Sequence, residues 1–319
     1  MPSVIGDVLE VSSTCKKCGL VNVDGKFFCE HCGARLSHLS SYDLTEDDFI
    51  TNGDREAFNI LRCMGPLIPF LYSNIIKPKL QRATSRFIRN HASTTERLTR
   101  LNVDCAEILA LEYLPKVYVT DLGQKNAFTF GDDSEALIVL DNGLQESLSD
   151  GELRALLGHE MGHIKIRHLV YHVAAEILEH GLAFASHLTN IGILYLPVRP
   201  ILLAWHRESE LSADRASLIV AGDITHVEAM FSKMLGKASS GKFDTTVNSV
   251  IEIFNSHPHY LTRLNALKNF LKSPEYNTIN MKLHRKRLLR PAFVGFCRFC
   301  GSSKNFEDVF CPSCGRALA

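Results

Sequence analysis

His159-Glu160-Met161-Gly162-His163 sets two imidazoles four residues apart with a carboxylate between them. On an α-helix, positions i and i+4 share a face, so both rings can reach one zinc ion while Glu160 stands beside it. Two histidines leave zinc short of ligands, and no third histidine follows in an H-x-x-G-x-x-H pattern. The third ligand is expected from Glu210, 47 residues after His163, in Glu210-Leu211-Ser212-Ala213-Asp214. Asp214, one turn on and on the same face, can accept the outer N–H of a ligand histidine and fix its tautomer. Glu208 is a rival, but the residue four positions on from it is Ser212, so Glu210 is preferred. Two neutral imidazoles and one carboxylate leave the ion near +1 with a fourth position open, the condition for lowering the pKa of bound water to about 7. Glu160 would take the proton from that water as it attacks a carbonyl, then deliver it to the leaving amine. That chemistry is peptide-bond hydrolysis.

Such residues need helices to present them. Ser149-Asp150-Gly151-Glu152 forms a capping box, with Ser149 as N-cap and Glu152 at N3, so a helix starts there and carries the motif in its third and fourth turns. Glu210 falls in a helical stretch bounded by Trp205 and Ala221, and the pattern stays mostly helical to about Leu271. Residues from about 54 to 112 also read as helices. Between these lie three strand-like runs, Lys116–Thr120, Asn126–Phe130 and Ala136–Leu140, the last two separated by a Gly131-Asp132-Asp133 turn. The basic stretch from Lys282 to Arg290 reads as a solvated linker or helix face.

Eight of the ten cysteines lie at the chain ends in one repeated pattern, C-x2-C-x10-C-x2-C. Cys15, Cys18, Cys29 and Cys32 form the first copy; Cys297, Cys300, Cys311 and Cys314 form the second. Each C-x-x-C turn brings two sulfurs to one ion, and a glycine after each pair permits the tight backbone. Four thiolates close the coordination sphere and leave the ion near −2, so these two sites are expected to hold structural zinc. The remaining Cys63 and Cys105 read as buried thiols.

With 319 residues, 45% of them apolar, and 35 basic against 35 acidic side chains, the chain can build a sizeable core. Zero net charge gives no footprint for bulk nucleic-acid binding. The N-terminal residues carry neither a charged n-region nor an apolar h-region, so a cytoplasmic protein with reduced thiols is expected. Gly181–Val198 is an 18-residue run free of Asp, Glu, Lys and Arg, yet it holds His187, Asn190 and Pro197 and reads as a buried helical hairpin rather than a span.

Asn126-Ala127-Phe128, Gly143-Leu144 and Glu152 through His163 together resemble the HtpX-like and CAAX-prenyl-endopeptidase family of gluzincins. Glu210 through Arg215 is similar to that family's E-x-x-A-D element, and His257 through Leu264 to its H-P-P-x-x-x-R-[IL] element, with His259 in place of the second proline. Order and spacing agree over roughly residues 100–270. The resemblance implies zinc ligands at His159, His163 and Glu210, a base at Glu160 and a supporting Asp214. It also puts His257 and Arg263 at the active site, to steady an oxyanion or orient Glu210. It places Asn126, Ala127 and Phe128 on an edge strand where an extended substrate can add, so that proline at Phe128 would stop cleavage.

The expected fold is α+β and mainly helical, a zincin-type core with a small antiparallel-type sheet flanked by two zinc ribbons. The boundaries fall at residues 1–40, 41–290 and 291–319. The expected cofactors are one catalytic and two structural zinc ions. The expected partner is a polypeptide; peripheral membrane association and a ribbon-bound protein stay open. A non-catalytic zinc-ribbon scaffold is the competing reading, disfavoured because Glu160 is intact. His168, His172, His180, His187 and His206 read as surface or packing residues, and Met161 as packing beneath the site.

Overall fold

The computed structural model describes residues 14–22, 26–36, 38–39, 41–63, 67–78, 81–82, 93–121, 126–180, 199–235, 260–289, 295–296, 303–304 and 315–316. His257, Cys297, Cys300, Cys311, Cys314 and the 181–198 run lie outside these residues. The chain divides into two compact units, residues 44–279 and the chain ends, 1–43 with 280–319.

In the larger unit, α1 (Asn52–Cys63) precedes a short α2 (Leu67–Leu71) that runs into a π-helical turn, then α3 (Glu96–Ile108). Three strands follow, β1 (Lys116–Thr120), β2 (Ala127–Asp132) and β3 (Glu135–Asp141). Helices α4 (Asn142–Ser147), α5 (Asp150–Lys165), α6 (Leu169–His180), α7 (Arg199–Ala221), α8 (Ile224–Leu235) and α9 (Tyr260–Leu271) complete it. Helix α10 (Pro274–Leu289) leads into the terminal unit. The fold is thus mainly helical with a small sheet. No described helix is long and apolar enough to cross a membrane.

The sheet is mixed, in the order β1-β3-β2, rather than wholly antiparallel. A tight turn at Asp133-Ser134 makes β2 antiparallel to β3, two residues later than the sequence suggested, and β1 pairs parallel with β3 from the other side. The reason is burial. Ala136, Ile138, Val139 and Leu140 are all buried, and a strand covered on both faces takes the centre. That leaves β2 at an edge among the described residues, with Phe128 exposed. Gly131 is required within β2: its φ is +144°, and a Cβ there would lie 2.1 Å from the Glu135 carbonyl oxygen.

Helix α5 starts as its capping box demands. Ser149 Oγ accepts from the Glu152 amide at 3.4 Å, and the Ser149 amide donates to Glu152 Oε2 at 2.6 Å. From Glu152 to Ile164, α5 is buried except at Arg154, Met161 included, and its closest partner is α7. Two glycines set that distance. A Cβ on Gly158 would lie 2.8 Å from Val220 Cβ, and one on Gly162 would lie 3.0 Å from the Ala213 Cα. Alanine is the better helix former by about 1 kcal/mol, but overpacking a fixed backbone costs about 1–3 kcal/mol. Gly162→Ala is therefore expected to lower the melting temperature and loosen metal retention, since Ala213 adjoins Asp214. A variant as stable and as metal-retentive as wild type would contradict this packing argument.

In the terminal unit the two N-terminal knuckles share one backbone geometry. The Cys15 amide donates to Leu20 O and the Gly19 amide to Cys15 O; the Cys29 amide donates to Ala34 O and the Gly33 amide to Cys29 O. Gly19 and Gly33 have φ of +76° and +70°. The described parts of the second copy follow suit: Gly315 has φ +70°, and Phe296 pairs antiparallel with Ser303 as Thr14 does with Val21. Lys286, from the basic stretch, is buried and 2.8 Å from Asp43, which Arg35 also meets at 2.9 Å. The solvated-linker reading fails there because this buried carboxylate draws the lysine in.

Candidate active site

Helix α5 presents His159 and His163 on one face, and α7 presents Glu210 and Asp214 opposite them. His159 Nε2 lies 3.4 Å from Glu210 Oε2, and His163 Nε2 lies 3.3 Å from Glu210 Oε1. Donors on a tetrahedral zinc at about 2.0–2.1 Å are separated by about 3.3–3.4 Å, so these spacings fit such an ion. Both ring nitrogens of His163 are buried with no hydrogen-bond partner among the described residues, and a cation at Nε2 would relieve one of them. Burial pulls the His159 ring down, yet the Glu210 and Asp214 carboxylates outweigh it and lift the ring to about 10.

Asp214 Oδ1 lies 3.1 Å from His159 Nδ1, where it holds the ring with Nε2 toward Glu210. Arg263 reaches back from α9. Its Nε and one terminal nitrogen fork onto the Asp214 carboxylate at 2.7 and 2.5 Å, and its other terminal nitrogen is 3.3 Å from Glu210 Oε2. Burial alone would raise the Asp214 carboxyl, but Arg263 and His159 hold it below its usual range. Glu208 turns away to α1, where a Cβ on Gly53 would meet its Oε2 at 2.4 Å. Position 210, not 208, faces the histidines.

Glu160 is buried beside this group, and the Thr129 hydroxyl donates to its Oε2 at 2.5 Å. Sequence reasoning missed Thr129. It lies within the expected edge strand, one residue past Phe128, but nothing in its spacing points to Glu160. Phe128 faces the other side of β2, stacked on Phe130 at 5.8 Å between centroids. Asn126 and Ala127 sit at the start of the same strand, where Asn126 Oδ1 accepts from the Ala127 amide.

The neighbouring histidines are not surface residues. His168 and His206 are fully buried, and His172 is half-buried between His163 and His206. Burial, reinforced by His163 and His206, holds His168 and His172 well below the usual imidazole range. His168 Nε2 lies 3.3 Å from Asp54 Oδ1, which also accepts from Trp205 Nε1 at 2.9 Å, and burial pushes the Asp54 carboxyl up to about 7. Cys105 is buried as expected, but Cys63 is exposed at the end of α1. Helix α1 turns its apolar side, including Leu61, inward and leaves Cys63 outside.

The N-terminal cysteines also converge. Cys15 and Cys32 sulfurs are 3.6 Å apart, as are Cys18 and Cys29. These gaps are far beyond an S–S bond of about 2.05 Å and near the about 3.8 Å edge of a tetrahedral four-thiolate zinc. The Cys32 and His31 amides point at the Cys29 sulfur and pull its thiol below the usual range despite burial.

A helix-borne histidine pair, a glutamate from a second helix and an adjacent carboxylate are the groups of a metallopeptidase. Residues 92–271, 180 of the 319, match peptidase family M48, and the chain belongs to that family of zinc-dependent proteases. It is 29% identical over 272 residues to the plastoglobule-localized metallopeptidase 48, chloroplastic, of Arabidopsis thaliana, covering 76% of this chain and 78% of that protein. It is 27% identical over 208 residues to a protease HtpX homolog of Moorella thermoacetica (50% and 68%). A protease HtpX homolog of Campylobacter curvus is 22% identical over 194 residues (49% and 68%).

Proposed function

We propose that the chain is a zinc-dependent endopeptidase that cleaves extended or unfolded polypeptide segments. The observation that carries this is the meeting of His159, His163 and Glu210 at metal-ligand spacing beside Glu160. His159, His163 and Glu210 would hold the zinc, which when bound would supply Lewis acidity and lower the pKa of water there to about 7. Glu160 accepts that water's proton and returns it to the leaving amine. Thr129 holds Glu160 Oε2, which leaves Oε1 to take the proton. Asp214 orients His159, and Arg263 holds Asp214 and Glu210 together, a positioning role in place of oxyanion support. The oxyanion role falls to His257, on the family resemblance.

Incubating the zinc-loaded chain with unfolded casein is expected to give internal fragments, stopped by a chelator and restored by zinc. Intact casein after prolonged incubation, with zinc bound, would contradict the proposal.

Substrate is proposed to add to β2. The Asp141 amide donates to the Asn126 carbonyl, so the hydrogen-bonded pairs of this hairpin include Phe128 with Val139, and the outward backbone belongs to Ala127, Thr129 and Gly131. Ala127 N–H is taken by Asn126 and Gly131 O by Tyr72, and among the described residues nothing takes the Thr129 N–H or C=O. Proline at Phe128 would break the sheet itself, so it is the wrong probe. Thr129→Pro is expected to stop casein cleavage, while Thr129→Ser, which keeps the amide and the hydroxyl, retains most of it. Equal activity of the proline variant and wild type would refute docking on this edge.

The chain ends are proposed as structural zinc ribbons, residues 1–40 on Cys15, Cys18, Cys29 and Cys32, and residues 291–319 on Cys297, Cys300, Cys311 and Cys314, around a peptidase domain at 41–290. Three zinc ions per chain follow. Thiolate zinc sites fit a reducing compartment such as the cytoplasm, and the plastoglobule localization in the Arabidopsis relative's name supports peripheral membrane association.

A further inference from the structure

We infer that His172, His206 and Glu210 form a second, weaker divalent-cation site that shares the Glu210 carboxylate with the first. Helix α7 carries His206 and Glu210 four residues apart on one face, the same arrangement by which α5 carries His159 and His163. Helix α6 supplies His172. Its Nδ1 is hydrogen-bonded to His206 Nε2 at 3.0 Å, a contact between the two rings that a shared ion would replace. Its Nε2 lies 3.8 Å from Glu210 Oε1, and one donor atom from each of the three residues falls within a 4.8 Å cluster.

Imidazole and carboxylate donors suit zinc and its first-row neighbours rather than magnesium or calcium. The rings of His163, His172 and His206 follow one another at 4.2 and 4.6 Å between centroids, which puts the second group of donors one ring beyond the first. Glu210 Oε2 faces His159, whereas Oε1 lies between His163 and His172. A carboxylate so placed can bridge two ions about 3.5–4 Å apart. The second site adds only neutral imidazoles to a carboxylate already engaged, and its ion meets the repulsion of the first. It therefore fills later, at higher metal concentration, and gives free zinc a direct route to Glu210.

The inference rests on the reading above only for the engagement of Glu210 by a first ion. The test strips the full chain of metal, equilibrates it at low and at high buffered free zinc, and counts zinc per chain. Wild type is expected to gain one equivalent between the two conditions. His172→Gln and His206→Gln are expected to keep the low-zinc count and lose that gain. His163→Gln reports the first ion separately, as a deficit already present at low zinc, and no deficit would sink the catalytic reading instead. A wild type with the same count at both concentrations, or variants that gain the equivalent as wild type does, would overturn the second site. Should the variants fail to fold, cobalt-loaded wild type decides: spin coupling between two ions supports the shared carboxylate, and magnetically isolated cobalt at high loading refutes it.

Discussion

Glu160→Gln is expected to slow casein cleavage by about 10²–10⁴-fold, the usual contribution of a positioned general base, while leaving the zinc content unchanged. The amide has the shape of the carboxylate and its oxygen can still accept the Thr129 hydroxyl, so the pocket keeps its form. What it loses is the ability to take a proton. Initial cleavage rates and zinc per chain, measured on the same preparation, check both halves. A variant that cleaves at the wild-type rate would remove Glu160 from the chemistry, and no cleavage above background by either protein would favour the scaffold reading.

Arg263→Ala is expected to cost about 3–5 kcal/mol of stability, because it removes the cation that the buried Asp214 and Glu210 carboxylates share. It also removes a guanidinium packed 4.7 Å over the Phe231 ring. With Asp214 released, His159 loses its orienting partner, and zinc affinity is expected to fall about 10–100-fold. Arg263→Lys restores charge without the fork and should recover only part of either loss. The pH dependence has a definite sign. Asp214 is held below its ordinary 3.8, so its ion pair contributes fully above that pH and is lost as pH falls through the folded value. Unfolding curves of the metal-free variant and wild type should therefore differ at neutral pH and converge in acid. A constant gap across that range would show that lost packing, not charge, explains the change.

Much of this site could be read from spacing because helices enforce it. His159 with His163, and Glu210 with Asp214, are i,i+4 pairs, and the capping box at Ser149 fixed where α5 begins. The duplicated cysteine spacing likewise predicted matching backbone turns, and Gly33 and Gly315 share the same left-handed φ. Spacing names the face of a helix, but not what another element brings to it. Thr129 reaches Glu160 from a strand, and His172 and His206 meet across two helices, so no local pattern marked either contact. The same limit explains the sheet. The tight turn made β2 and β3 antiparallel, yet the choice of β3 as the central strand came from burial on both faces. Lys286 looked like one charge in a solvated run because its partner, Asp43, is more than 240 residues away.

The most direct measurement is anomalous diffraction at the zinc edge from crystals of the zinc-loaded chain. A peak is expected among His159 Nε2, His163 Nε2 and the Glu210 carboxylate, at about 2.0–2.2 Å from each, with no fourth protein atom bound. An absent peak, or one closed by a fourth side chain in active protein, would contradict the assignment.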